Sequence, residues 1–168
     1  MDIHSLDRFI EAQERMYAVA LEEIKSGLKR SHWMWYIFPQ LRGLGTSSMA
    51  HVYGIAGLDE ARAYLSHPVL SARLIEISEA LLMLKKKNPE DIFGHTDAMK
   101  LRSSMTLFAL VSDDGSVFHE VLELFYNGRM DERTLELIKS QLSDDEQIDF
   151  AAKCILKKYR KAFEKLAK

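Results

Sequence analysis

The sequence contains one cysteine and three prolines, and it lacks any long apolar run. A single cysteine, Cys154, cannot close an internal disulfide, so a reducing compartment and a cytoplasmic location are expected. No stretch of about 20 apolar residues exists, which excludes a membrane-spanning helix. Neither sign of charge dominates: 23 basic against 25 acidic residues leave a net charge of -2. Broad nucleic-acid binding needs a strongly basic face, so none is expected. Asp2, Asp7 and Glu11 stand early in the chain without an apolar run, which does not read as a signal peptide. Several catalytic fingerprints are also missing: Gly-x-Ser-x-Gly, Gly-x-x-x-x-Gly-Lys and His-Glu-x-x-His. Gly43-x-Gly45 lacks a third glycine, since position 48 is Ser48, and it fails as a dinucleotide fingerprint. Six histidines are scattered without ligand spacing, so the sequence implies no metal and no cofactor.

What is present is helical periodicity. The 168 residues, 47% apolar and 29% charged, suit one globular domain. Leu6, Phe9, Ile10, Gln13, Met16, Tyr17, Leu21, Ile24 and Leu28 recur at three- and four-residue steps, predicting a helix from about Ser5 to Ser26 with Gly27 as its cap. Glu22 and Glu23 are expected to face solvent. Trp33 to Phe38 is apolar on every side. With no second strand to pair with it, the run predicts a short buried helix ending before Pro39. Ser47 or Ser48 caps the next segment, and Leu58 to Ser66 and Pro68 to about Lys86 follow as helices. A one-turn helix closed by Gly94 leads into a long one reaching about Val111. Helices over Val117 to Tyr126 and Asp131 to Leu142 come next. A last helix opens on the capping box Ser143–Glu146, with Ile148, Ala152, Ile155, Tyr159, Phe163 and Leu166 on its inner face. The expected architecture is one all-α domain of roughly eight or nine helices without significant sheet. Residues 1–142 form its core, and residues 143–168 form an amphipathic basic helix packed on it.

Two segments carry a resemblance: RSHWMWYIFPQLRGLGTSSMAHVYGI (Arg30 to Ile55) and DIFGHTDAMKLRSSMTLFAL (Asp91 to Leu110), with LDEARAYLSHPVLSARL between them. In these the chain resembles the bacterial family catalogued as domain of unknown function 1810, from about Leu6 to Leu137. The resemblance implies a single multihelical domain and no established activity. The family's recurrent words fall on Ser31, His32, Trp33, Trp35, Phe38, Pro39 and Gln40, and on Lys100, Arg102, Ser103, Ser104 and Thr106. The tail after about Ser143 extends beyond the family core.

The same segments hold the residues suited to chemistry. The Gly43–Gly45 loop runs into a helix start at Ser47-Ser48, which offers free N–H groups to an anion. Arg30 and Arg42 flank it. Lys100, Arg102, Ser103, Ser104 and Thr106 share one helix whose apolar neighbours, Met99 among them, leave it little room to face water. Arg102 therefore needs a partner, either an internal carboxylate such as Asp59, Glu60 or Asp91, or a bound anion. Trp33, Trp35 and Gln40 could contribute stacking and hydrogen bonds, and His32 is the proton-transfer candidate. The expected ligand is an anionic small molecule, a nucleotide or phosphorylated metabolite. The competing expectation is a helical protein-interaction module with no such site. The sequence leaves open whether the protein is an enzyme and what its oligomeric state is.

Overall fold

The computed structural model describes residues 2–158 and 166. Among the described residues it consists of nine helices and one isolated bridge, with no sheet, so the all-α expectation holds. Helix α1 (Asp7–Ser26) turns Phe9, Gln13, Ala20 and Ile24 inward. It stops at Gly27, whose φ of 81° is the left-handed cap that glycine adopts without strain. Helix α2 (Met34–Ile37) is the predicted short buried helix before Pro39. A buried amide ties it to α1: Gln13 Nε2 donates to the Tyr36 carbonyl (2.8 Å) and to the Tyr64 hydroxyl (2.9 Å).

An irregular stretch follows. Leu41 and Ile55 form a parallel bridge around the one-turn helix α3 (Ser48–Val52), and Ser47 Oγ accepts from the Ala50 amide. Helices α4 (Leu58–Ser66) and α5 (Pro68–Leu82) meet at His67, whose Nδ1 accepts the Val69 and Leu70 amides. Helix α5 ends at Leu82, short of the expected Lys86. Lys86, beyond that end, donates its side chain to the Gly27 carbonyl at the end of α1 (2.8 Å). Helix α6 (Glu90–Leu110) bends at Gly94, where φ 77° and ψ 174° separate the expected first turn from the long segment. Helix α7 (Val117–Tyr126) ends on the left-handed Asn127, and Asp131 caps α8 (Glu132–Ser140). Helix α9 (Asp144–Lys158) opens on the predicted capping box: Ser143 N donates to the Glu146 carboxylate, and Glu146 N donates to Ser143 Oγ.

Helix α6 lies at the centre, flanked by α4 and α7, while α5 packs on α1, α4 and α7. From Ser103 to Ala109 every residue of α6 is buried, as befits a helix surrounded on all sides. Aromatic rings join the layers: Tyr64 meets Phe9 edge-on at 5.2 Å and Phe108 at 5.1 Å.

Three sequence expectations need correction. Glu23 is 8% exposed, not solvated; donors from the following loop surround it. Leu28 is 43% exposed and Met99 59%, because the first follows the α1 cap and the second lies on the outer side of α6. On α9, Ile148 and Ile155 face water while Phe150 is buried and Cys154 half-buried. The helix rests on the domain by a different edge from the one its apolar spacing suggested. The expected inward positions of Tyr159 and Phe163 lie outside the described residues.

Candidate functional site

The first motif segment is shaped around one carboxylate. Gly27 ends α1 and turns the chain back, so that residues 30–33 pass over Glu23 from the last turn of that helix. Glu23 Oε1 accepts the amides of Arg30 (2.6 Å) and Ser31 (2.8 Å) and the Trp33 indole N–H (3.1 Å). Glu23 Oε2 accepts the Ser31 hydroxyl (2.6 Å). Burial alone would push this carboxyl up. The Ser31 hydroxyl, the two amides and the indole outweigh it and hold the pKa at about 2. The loop is thus pinned from within, while Arg30 and His32 are exposed on it.

The second motif segment meets the first through lysines. Lys29 Nζ lies 2.9 Å from Asp97 Oδ2, donates to the Ser31 carbonyl and sits 5.0 Å from the centre of the Trp33 ring. Lys100 Nζ lies 3.5 Å from Asp97 Oδ1 and 4.9 Å from the centre of the Trp35 ring. Two ammonium groups therefore share one carboxylate, each against an indole. Trp33 is fully buried between Phe38 and Phe93, whereas Trp35 is half-buried. Lys29 is nearly enclosed, with 8% of its side chain exposed, against 23% for Lys100. At Asp97 two ammonium groups face one carboxylate, and the ionised Glu23 on the Trp33 indole N–H adds a second negative charge nearby; Lys100 and Trp35 are the accessible members.

The remaining predicted residues lie elsewhere. Arg42 is half-buried, and its donors go to carbonyls of His51 (3.1 Å), Ile3 (3.0 Å) and Gly54 (2.9 Å). Arg102 gives Nε and Nη2 to the carbonyls of Arg129 and Met130, both at 2.9 Å. It pairs with none of Asp59, Glu60 or Asp91. Those carbonyls belong to the α7–α8 connection, where no helix supplies donors. Ser103 Oγ bonds back to the Met99 carbonyl. Thr106 Oγ1 donates to the Arg102 carbonyl and accepts the Asp131 amide. Ser104 Oγ is buried and has no hydrogen-bond partner among the described residues. Gln40 is half-buried, and its carbonyl accepts the Ile55 amide. Helix α3 is a single turn already capped by Ser47, too short for the dipole an anion would need.

Besides Glu23 and Lys29, sequence reasoning missed Arg8 and Asp97. Arg8 is 1% exposed. It donates to the carbonyls of Ser5, Val52 and Gly54 and forms an ion pair with Glu60 at 2.8 Å. Asp97 joins the two motif segments. No signal in the helical spacing marks either role. Two surface hollows stand out, one of 570 Å³ beside the α6–α7 turn and one of 680 Å³ between α4 and α9. None of the predicted site residues lines them. No group of three or more potential metal ligands occurs among the described residues.

Comparison with known proteins agrees with the fold. A family model described as a protein of unknown function, DUF1810, matches residues 3–138. The crystal structure of the conserved hypothetical protein Rv1873 from Mycobacterium tuberculosis is similar, with 45% sequence identity and a TM-score of 0.78. The alignment covers 82% of this chain and 97% of that one. No curated protein matches.

Proposed function

The chain belongs to the DUF1810 family, and from its own side chains we propose that the seam between its two motif segments binds an anionic small molecule, a nucleotide or phosphorylated metabolite. One observation carries this reading. Lys29 and Lys100 converge on Asp97 with an indole beside each, so Lys100 holds only a share of one carboxylate and stands next to a half-exposed aromatic ring. Phosphate would take the charge at Lys100, and a base or ring would stack on Trp35. Arg30 and His32 stand exposed on the loop that Glu23 pins, where a guanidinium could reach a second anionic group. His32, exposed on the same loop, is the group we assign to proton transfer in any turnover. Arg42, Arg102 and Thr106 act in this reading as the frame, because their polar atoms already serve the backbone.

The test is a thermal-shift series with nucleotides, ADP-ribose, sugar phosphates and polyphosphate. A ligand at 100 times its dissociation constant adds about 2.7 kcal/mol, or roughly 5–11 °C at this chain length. The expected result is a hit that Lys100→Ala and Trp35→Ala both abolish, each variant being compared with its own unliganded midpoint. A midpoint that none of these anions moves, or a hit that both variants retain, overturns the reading.

A further inference from the structure

Helix α9 presents two stripes, and the domain uses only one. Phe150 is buried, with Gln147 and Cys154 half-buried on the same edge. These three residues hold the helix to the domain, which it touches without extended helix–helix packing. On the opposite side Ile148 (70% exposed), Ala152 and Ile155 (54%) step by four and then three residues, with Leu156 (58%) alongside. Alternating four- and three-residue steps have the 3.5-residue period of a coiled-coil seam. A solvated surface helix has no use for such a stripe. The helix also lies beyond the family match, which ends at residue 138, and Rv1873 is aligned over 97% of its length with only 82% of this chain. The seam is thus an addition to the family core.

Charge along the helix selects the partner. Asp144, Asp145, Glu146 and Asp149 occupy its first half, and Lys153, Lys157 and Lys158 its second. We propose that the outward stripe pairs with the same stripe of a second copy of this chain, with the two α9 helices antiparallel. That arrangement sets the acidic end of each helix against the basic end of the other. A parallel pair would place acid on acid and base on base, at a cost in each like-charge contact. An anionic lipid surface fits less well, because the acidic first half would be repelled from it. This inference is independent of the anion site.

Sedimentation equilibrium of the full chain tests it. The wild type should show a reversible monomer–dimer equilibrium that weakens as salt is raised. Ile148→Asp/Ile155→Asp should be monomeric at every concentration with unchanged helical content, because both side chains are exposed in the single chain. Should that variant fail to fold, Ala152→Glu serves the same purpose. Asp145→Lys/Asp149→Lys should loosen the dimer by tenfold or more, whereas a parallel pair would tighten. The proposal is overturned by a wild type that stays monomeric at its highest soluble concentration. It is overturned equally by a dimer that survives the Ile148/Ile155 substitutions, or by a charge reversal that strengthens association. A monomeric wild type that pellets with anionic vesicles would instead assign the stripe to a lipid surface.

Discussion

Replacing Glu23 by glutamine should destabilise the protein at neutral pH and much less in acid. The carboxylate accepts four hydrogen bonds, from two amides, one hydroxyl and one indole, at 2.6–3.1 Å. Its pKa falls from an ordinary 4.5 to about 2. Each pKa unit is worth 1.36 kcal/mol, so the charged form contributes up to about 3 kcal/mol of folding stability. Because the folded pKa is the lower one, this contribution is complete above about pH 4.5 and is lost as pH falls toward about 2. Glutamine keeps one acceptor and brings an amide donor toward groups that are themselves donors. The assay is denaturant unfolding of wild type and Glu23→Gln in parallel at pH 7, 4 and 2.5. The other carboxylates titrate in both proteins, so the difference isolates Glu23. The expected gap is about 3 kcal/mol at pH 7, or roughly 6–12 °C in midpoint, and it should narrow steadily below about pH 4.5. The Trp33 indole N–H resonance should titrate with the same low midpoint. A gap that stays constant from pH 7 to 2.5 would refute the assignment of the loop's stability to this charge.

Arg8→Ala should cost about 3–5 kcal/mol in the same assay, because it strips Glu60 of its cation and the Val52 carbonyl of its donor; a loss below about 1 kcal/mol would show that solvent replaces it. Ser104→Ala should raise stability by about 1 kcal/mol, since its buried hydroxyl has no partner among the described residues; a clear loss would reveal a bonding partner for it. His67→Ala should cost about 1 kcal/mol by uncapping α5, and His67→Asn should restore most of it; equal stability of all three would dismiss the cap.

Helix boundaries were largely legible in the sequence because local chemistry sets them. Gly27, Pro39, Gly94, Asn127 and the Ser143–Glu146 box each act within a turn, and each ends, bends or starts a helix where expected. Which face a helix buries was less legible. On α9 the more regular stripe, Ile148–Ala152–Ile155, lost to an edge with one large residue, Phe150. Periodicity measures how apolar residues are spaced, and it cannot say which of two stripes the rest of the chain covers. Charged residues were least legible. Glu23 and Arg8 sit on ordinary polar positions of α1, and only the return of loops 30–33 and 52–54 over that helix makes them internal.

The accounting of backbone carbonyls explains why so few of the motif cations remain available to a ligand. The stretch from Phe38 to Gly57 contains one bridge and one helical turn, so most of its carbonyls lack a ladder or helix donor. Buried carbonyls must be paired. Arg8 and Arg42 both bond to the Gly54 carbonyl, at 2.9 Å each, and reach those of Val52 and His51 besides. Arg102 performs the same task for Arg129 and Met130 after α7. Arginine suits this work because its planar fork presents several fixed donors and stays charged when enclosed. Lysine has a single mobile head group, and the two lysines of the seam divide one carboxylate between them; Lys29 also serves the Ser31 carbonyl, whereas Lys100 bonds to Asp97. A ligand that competed for Arg42 or Arg102 would have to strip carbonyls of their donors. One that approached Lys100 would meet a cation whose only carboxylate partner is shared. By this reasoning an anion is expected to engage the lysine side of the motif, and substitutions at the arginines should register as lost stability before they register as lost binding.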